Sequence, residues 1–136
     1  MTFWSRIALS CAPLLVFASS AQQSPAERGR YLVEEVAKCQ DCHTPHLQNG
    51  QPDHSKWLKG AVLDFQPIRP ILAWRALAPD ITPSGRLFQK WGQKGMIQFL
   101  RTAIDPYGHP AGPPMPDYRL KAEDAEALVL YLKTLK

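Results

Sequence analysis

Cys39-Gln40-Asp41-Cys42-His43 puts two thiols three residues apart, with an imidazole directly after the second. On a helical turn, residues i, i+3 and i+4 share one face. Two sulfurs so spaced can reach the two vinyl groups along one edge of a porphyrin, and the next residue then carries its imidazole under the ring centre. Cys-x-x-Cys-His is the attachment signature of a c-type haem, with His43 as the expected proximal iron ligand. Rival chemistries need a different context. A redox dithiol of thioredoxin type calls for a strand before the motif and a βαβ unit around it. A zinc site could draw on Cys39, Cys42, His46 and His54, but the chain offers no second knuckle.

An iron held from one side needs a second axial ligand or an open position. Besides Met1, the chain contains Met96 and Met115. Met96 falls in the apolar period of an expected helix, where methionine usually fills core space. Met115 sits in Gly112-Pro113-Pro114-Met115-Pro116, a setting that presents a thioether rigidly. Met115 is the expected distal ligand, and His109 is the nearest imidazole that could replace it. An open sixth position would instead support peroxidase-like chemistry or the binding of a small gas. Trp57, Trp74 and Trp91 are candidates to line the haem or to donate an indole N–H to a propionate, or else plain core aromatics.

These residues need elements to position them. Ser24, Pro25 and Glu27 form a capping box with proline at the first helical position, so a helix is expected over 25–38, with Leu32, Val33 and Val36 facing inward. Met96, Ile97, Leu100, Ala103 and Ile104 predict a helix over 94–104. Ala125, Leu128, Val129, Leu132 and Leu135 predict another over 122–135. Glu123 and Asp124 in its first turn and Lys133 near its end suit the helix dipole. Residues 43–80 carry five prolines and read as loop. Residues 105–117 carry five more, which excludes helix and central strand there and makes the segment stiff and extended. No stretch alternates as a strand. The fold class is all-α, a few short helices and long ordered loops around one haem.

Composition agrees. The chain has 136 residues, 13 of them proline, and a formal net charge of +4, enough for one small domain whose core a cofactor would complete. Lys and Arg form no dense run, which argues against nucleic-acid binding; a mildly basic face could steer docking onto acidic partners. Arg6 and the apolar run that follows it, ending in small residues at 18–21, read as an export signal over 1–21, leaving a domain of 22–136. Cys11 would depart with the leader. Two close thiols in an exported chain are no disulfide scaffold.

The chain resembles the class I monohaem cytochromes c of bacterial periplasmic type, and within them the domains that accompany membrane-bound alcohol and aldehyde dehydrogenases. The likeness runs through Gly29-Arg30-Tyr31-Leu32, Cys39 to Pro45, Trp57-Leu58-Lys59-Gly60, Ala78-Pro79-Asp80-Ile81-Thr82-Pro83, Leu100-Arg101-Thr102-Ala103, Pro114-Met115-Pro116 and Ala127 to Leu132. It implies the cytochrome c fold, one covalently bound haem c on Cys39 and Cys42, and His43 and Met115 as axial ligands. It also implies crossing of the first and last helices, and outer-sphere electron transfer in the periplasm between a dehydrogenase-type donor and a respiratory acceptor. Membrane association would come only through a partner complex. Two departures are visible. Ser84-Gly85-Arg86-Leu87-Phe88 stands as a loop where the family has a glycine-rich stretch before Trp91, and Lys121 stands where the last helix usually has a Ser or Thr cap.

Overall fold

The computed structural model describes residues 23–136. The expected leader and Cys11 lie outside the described residues. Helix α1 spans Pro25–Tyr31 and opens with the capping box: Ser24 Oγ accepts from the Glu27 N–H, and the Glu27 carboxylate accepts from the Ser24 N–H at 2.9 Å. The helix then widens into a π turn, Leu32–Val36. The Ala37 N–H reaches the Leu32 carbonyl at 2.8 Å, and the Cys39 N–H reaches that of Val33 at 3.0 Å. Widening detaches the Glu34 carbonyl from the usual ladder, and the Gln40 side-chain amide donates to it at 2.9 Å. Lys38 turns the chain in the left-handed region, φ 53°. Helix α2, Gln40–His43, follows as a single turn with Cys39 at its N-cap.

Helix α3, Arg86–Thr102, starts eight residues before the expected boundary. Its first turn takes in Arg86, Leu87 and Phe88, which the sequence pattern assigns to a loop. Gly92 breaks it at φ 64°, ψ 179°, so residues 86–91 and 93–102 are two helical pieces sharing one label. The first piece alone is too short to declare its period, whereas the second carries the period read from Met96 to Ile104. Helix α4, Ala122–Leu132, begins at Lys121 with no side-chain cap, as the sequence suggests, and ends three residues early. Ala61–Val62 (β1) and Leu77–Ala78 (β2) form a two-residue antiparallel ladder, Ala61 opposite Ala78 and Val62 opposite Leu77. Two residues cannot display alternation, so the pair left no mark in the pattern.

The core gathers Leu32 and Val33 from the π turn, Met96 and Leu100 from α3, Ala125, Leu128, Val129 and Leu132 from α4, and Leu58 and Ile81 from the loops. Helices α1 and α4 make the closest crossing. Gly29 permits it: a Cβ there would fall on the Ala127 carbonyl and against the Tyr131 Cβ. Arg28 reaches Asp124 at 2.9 Å, and the Tyr131 hydroxyl donates to Glu34 at 2.5 Å. Among the described residues, no helix is long and apolar enough to cross a membrane.

Gly29→Ala must push these helices apart. Overpacking of this kind costs about 1–3 kcal/mol, and in a domain of this size about 1 kcal/mol moves the melting midpoint by ~4–8 °C. Thermal unfolding followed by circular dichroism checks the drop.

Candidate haem site

The short elements enclose one large cavity of about 830 Å³, between the α2 turn, the proline-rich segment 105–118, the core-facing side of α3 and the end of α4. Cys39, Cys42, His43 and Met115, the residues singled out from the sequence, all line it. They come from two distant stretches of the chain, and the fold brings the four together. Most of the remaining lining is apolar, with Leu63, Phe65, Ile81, Trp91 and Phe99 among it.

His43 is 5% exposed. Its Nδ1 lies 2.7 Å from the Pro79 carbonyl oxygen. A carbonyl can only accept, so Nδ1 carries the proton and Nε2 keeps its lone pair. Burial also holds the imidazole below its ordinary pKa, against smaller upward contributions from the Pro79 hydrogen bond and Asp80. A neutral imidazole, oriented by an acceptor on its other nitrogen, is the state a metal ligand requires. The surrounding loops are built to hold that acceptor. The His43 carbonyl accepts from the Gly60 N–H at 2.7 Å. Asp80 Oδ1 accepts from the Thr82 N–H and hydroxyl at 2.8 and 2.7 Å, and fully buried Thr44 accepts from the Leu58 N–H at 2.9 Å. Gly60 sits at φ 85°, and a Cβ on it would come within 2.8 Å of the Ala78 carbonyl oxygen and the Asp80 nitrogen.

The thiols are not poised for redox exchange. Burial pushes the Cys39 thiol up to about 12 and raises that of Cys42 as well, whereas exchange needs thiolate at working pH. The zinc reading fails on placement. His54 stacks on Trp57 at 4.8 Å, and His46 Nδ1 faces Asp64 at 3.2 Å. Among the described residues, no three His, Cys, Asp or Glu side chains gather as a metal site. Met96 is buried in the core cluster, though it touches the cavity wall. His109 also reaches the wall, but its ring is largely exposed and bonded to Asp105.

Of the three candidate tryptophans, only Trp91 lines the cavity. Trp57 packs against the core instead. Trp74 stands behind Phe65, edge-on at 5.8 Å, and its indole nitrogen is buried with no partner. Sequence reasoning missed Arg75, Tyr118 and the Pro79 carbonyl. Arg75 and Tyr118 line the cavity, and the Tyr118 hydroxyl donates to the Ala37 carbonyl at 2.9 Å, tying the proline segment to the chain just before the motif. Their only signal was nearness to the quoted stretches, which names no role.

Volume, lining and donor set all fit a porphyrin. The cavity lies in the range of about 300–1,000 Å³ that holds cofactor-sized molecules, its wall is apolar, and the thiol pair and imidazole share one side. Arg75, on the cavity wall, offers a cation to the carboxylates such a group carries. The cytochrome c family model matches residues 26–136. The chain belongs to the cytochrome c family. It is 35% identical over 112 residues to a diheme cytochrome c-type protein of Cereibacter sphaeroides, covering 79% of this chain and 34% of that one. It is 33% identical over 114 residues to the fructose dehydrogenase cytochrome subunit of Gluconobacter japonicus, covering 79% and 21%. It is 28% identical over 115 residues to a nicotinate dehydrogenase subunit of Pseudomonas putida, covering 80% and 9%. The chain therefore spans about a third or less of the length of these relatives. Membership in the cytochrome c family carries covalently bound haem c, its iron, and electron transfer.

Two glycines separate backbone strain from close approach. Gly50 and Gly60 both have positive φ, but a Cβ on Gly50 meets nothing within 4 Å. Gly50→Ala should cost about 1–2 kcal/mol, the left-handed penalty alone. Gly60→Ala should cost clearly more, because it also displaces the Pro79 segment. Denaturant midpoints of the two variants check the difference.

Proposed function

We propose that this cytochrome c is an exported, periplasmic carrier of one haem, with Cys39 and Cys42 as the thioether attachments and His43 and Met115 as the axial ligands. The observation that carries the reading is the convergence of these four side chains on one apolar cavity. The sequence holds a single Cys-x-x-Cys-His, which supports a count of one. The apolar stretch after Arg6 supports export, and covalent attachment to exported chains supports the same compartment.

Bound haem supplies an iron that takes up and gives up one electron. The protein does the rest. The Pro79 carbonyl holds His43 in the tautomer that leaves Nε2 free. Prolines 113, 114 and 116 fix the backbone around Met115, and the Met115 N–H is itself bonded to the Gly112 carbonyl at 3.1 Å. Rigid presentation keeps a weak thioether in place in both oxidation states, so little rearranges when the charge changes. A methionine ligand and an apolar wall raise the reduction potential, which suits acceptance from a dehydrogenase and donation toward a respiratory acceptor. The dehydrogenase subunits among the relatives support that choice of donor. Arg75, a cation on the cavity wall, is the group we assign to the propionates.

Met115→Ala tests the ligand set. The oxidised holoprotein should show the sulfur-to-iron charge-transfer band, and the variant should lose it, bind carbon monoxide rapidly when reduced and keep its covalent haem. A band that survives the substitution refutes Met115 as ligand.

A further inference from the structure

Among the described residues, the three most exposed large apolar side chains all lie in residues 62–77. Ile68 is fully exposed, Leu72 95% and Val62 75%, with Ile71 also well exposed. One exposed leucine means little, but a group of such residues on one segment marks an interaction surface.

The segment is held rather than slack. Leu63 donates to the Ala76 carbonyl at 2.8 Å, Trp74 to that of Ile71 at 3.2 Å, and Arg75 to that of Pro113 at 2.8 Å. Phe65 packs edge-on against Trp74, and Pro67 and Pro70 fix two φ angles. A stiff face loses little entropy on docking.

Its position is specific. Leu63, Phe65, Arg75 and Leu77 line the haem cavity, while Ile68 and Leu72 do not. Val62 lies directly opposite Leu77 in the ladder, so the two side chains share a face. The outer apolar surface is thus continuous with the cavity wall. Charge narrows the occupant. Asp64 Oδ2 lies against His46 Nδ1 at 3.2 Å, and Arg75 lines the cavity. Arg69 stands exposed between Ile68 and Pro70, and among the described residues it makes no ion pair.

We propose that residues 62–77 form the docking face for a redox partner protein, whose contact surface is apolar and presents a carboxylate to Arg69. The proposal rests on the electron-carrier reading above. Weak electron-transfer encounters bury less than about 1,200 Å² in total, so the face need not be large.

Holoprotein on gold electrodes tests it, with two coatings as probes: a mixed methyl- and carboxylate-terminated alkanethiol monolayer, and an all-carboxylate one. The native protein should adsorb more tightly and exchange electrons faster on the mixed surface. Ile68→Ser/Leu72→Ser should weaken adsorption there at least about tenfold, the loss expected for two central apolar anchors. Arg69→Glu should weaken it on both surfaces. All variants should keep the native spectrum, and Ile68→Ser/Leu72→Ser its rate of reaction with ferricyanide, so a haemless product sinks the carrier reading and not this one. Equal behaviour on the two coatings, or a mixed-surface advantage retained by the double variant, overturns the proposal. So does co-sedimentation with phosphatidylglycerol vesicles that the double variant abolishes, which assigns the face to lipid.

Discussion

The hydrogen bond from His43 to the Pro79 carbonyl, 2.7 Å long and out of water, links two segments 36 residues apart in the chain. A buried imidazole left without a partner costs free energy, and one free to rotate cannot hold its lone pair on a fixed point. Placing the acceptor there demands the rest. The chain must return from Gly60 through β1 and back along β2, Gly60 must lack a side chain, and the Asp80–Thr82 turn must stay closed. The loops around the site are long because they carry backbone groups to set positions, and they are ordered because those groups are bonded.

The helices supply the frame. The α1–α4 crossing over Gly29 locks the two ends of the domain together and fixes the π turn that delivers Cys39. The π turn matters through register: the widened turn and the left-handed Lys38 let the thiol pair begin a new turn facing the cavity rather than continue along the first helix. The Gln40 amide repairs the carbonyl that this leaves open. Across the cavity, Tyr118 ties the Met115 segment to Ala37, so both walls hang on the same stretch of backbone. An apolar interior of this kind favours the less charged state of whatever redox group it holds, which is the physical link between burial and a raised potential.

Much of this was legible in the residues. The capping box at Ser24, the apolar period of α4, the lack of a cap at Lys121 and the family itself were all readable, because each is a local or closely spaced pattern. Cys39, Cys42, His43 and Met115 could be singled out for the same reason. What escaped depends on contacts between distant segments. The start of α3 was hidden because Gly92 divides its apolar period. The β1–β2 ladder is too short to alternate. A backbone carbonyl such as that of Pro79 has no residue type to announce it. Trp57, Trp74 and Trp91 looked equivalent as letters, yet one lines the cavity, one packs in the core, and one is left with an unpartnered N–H.

The central claim is chemical: two thiols and an imidazole in five consecutive residues hold one iron porphyrin covalently. Intact-mass spectrometry of the mature chain, produced in cells competent for cytochrome c maturation, addresses it most directly. The account predicts a polypeptide heavier by one haem, with the added mass on the peptide containing Cys39 and Cys42 and resistant to acid–organic extraction. A colourless chain of unmodified mass, or a haem that extraction removes, would contradict it.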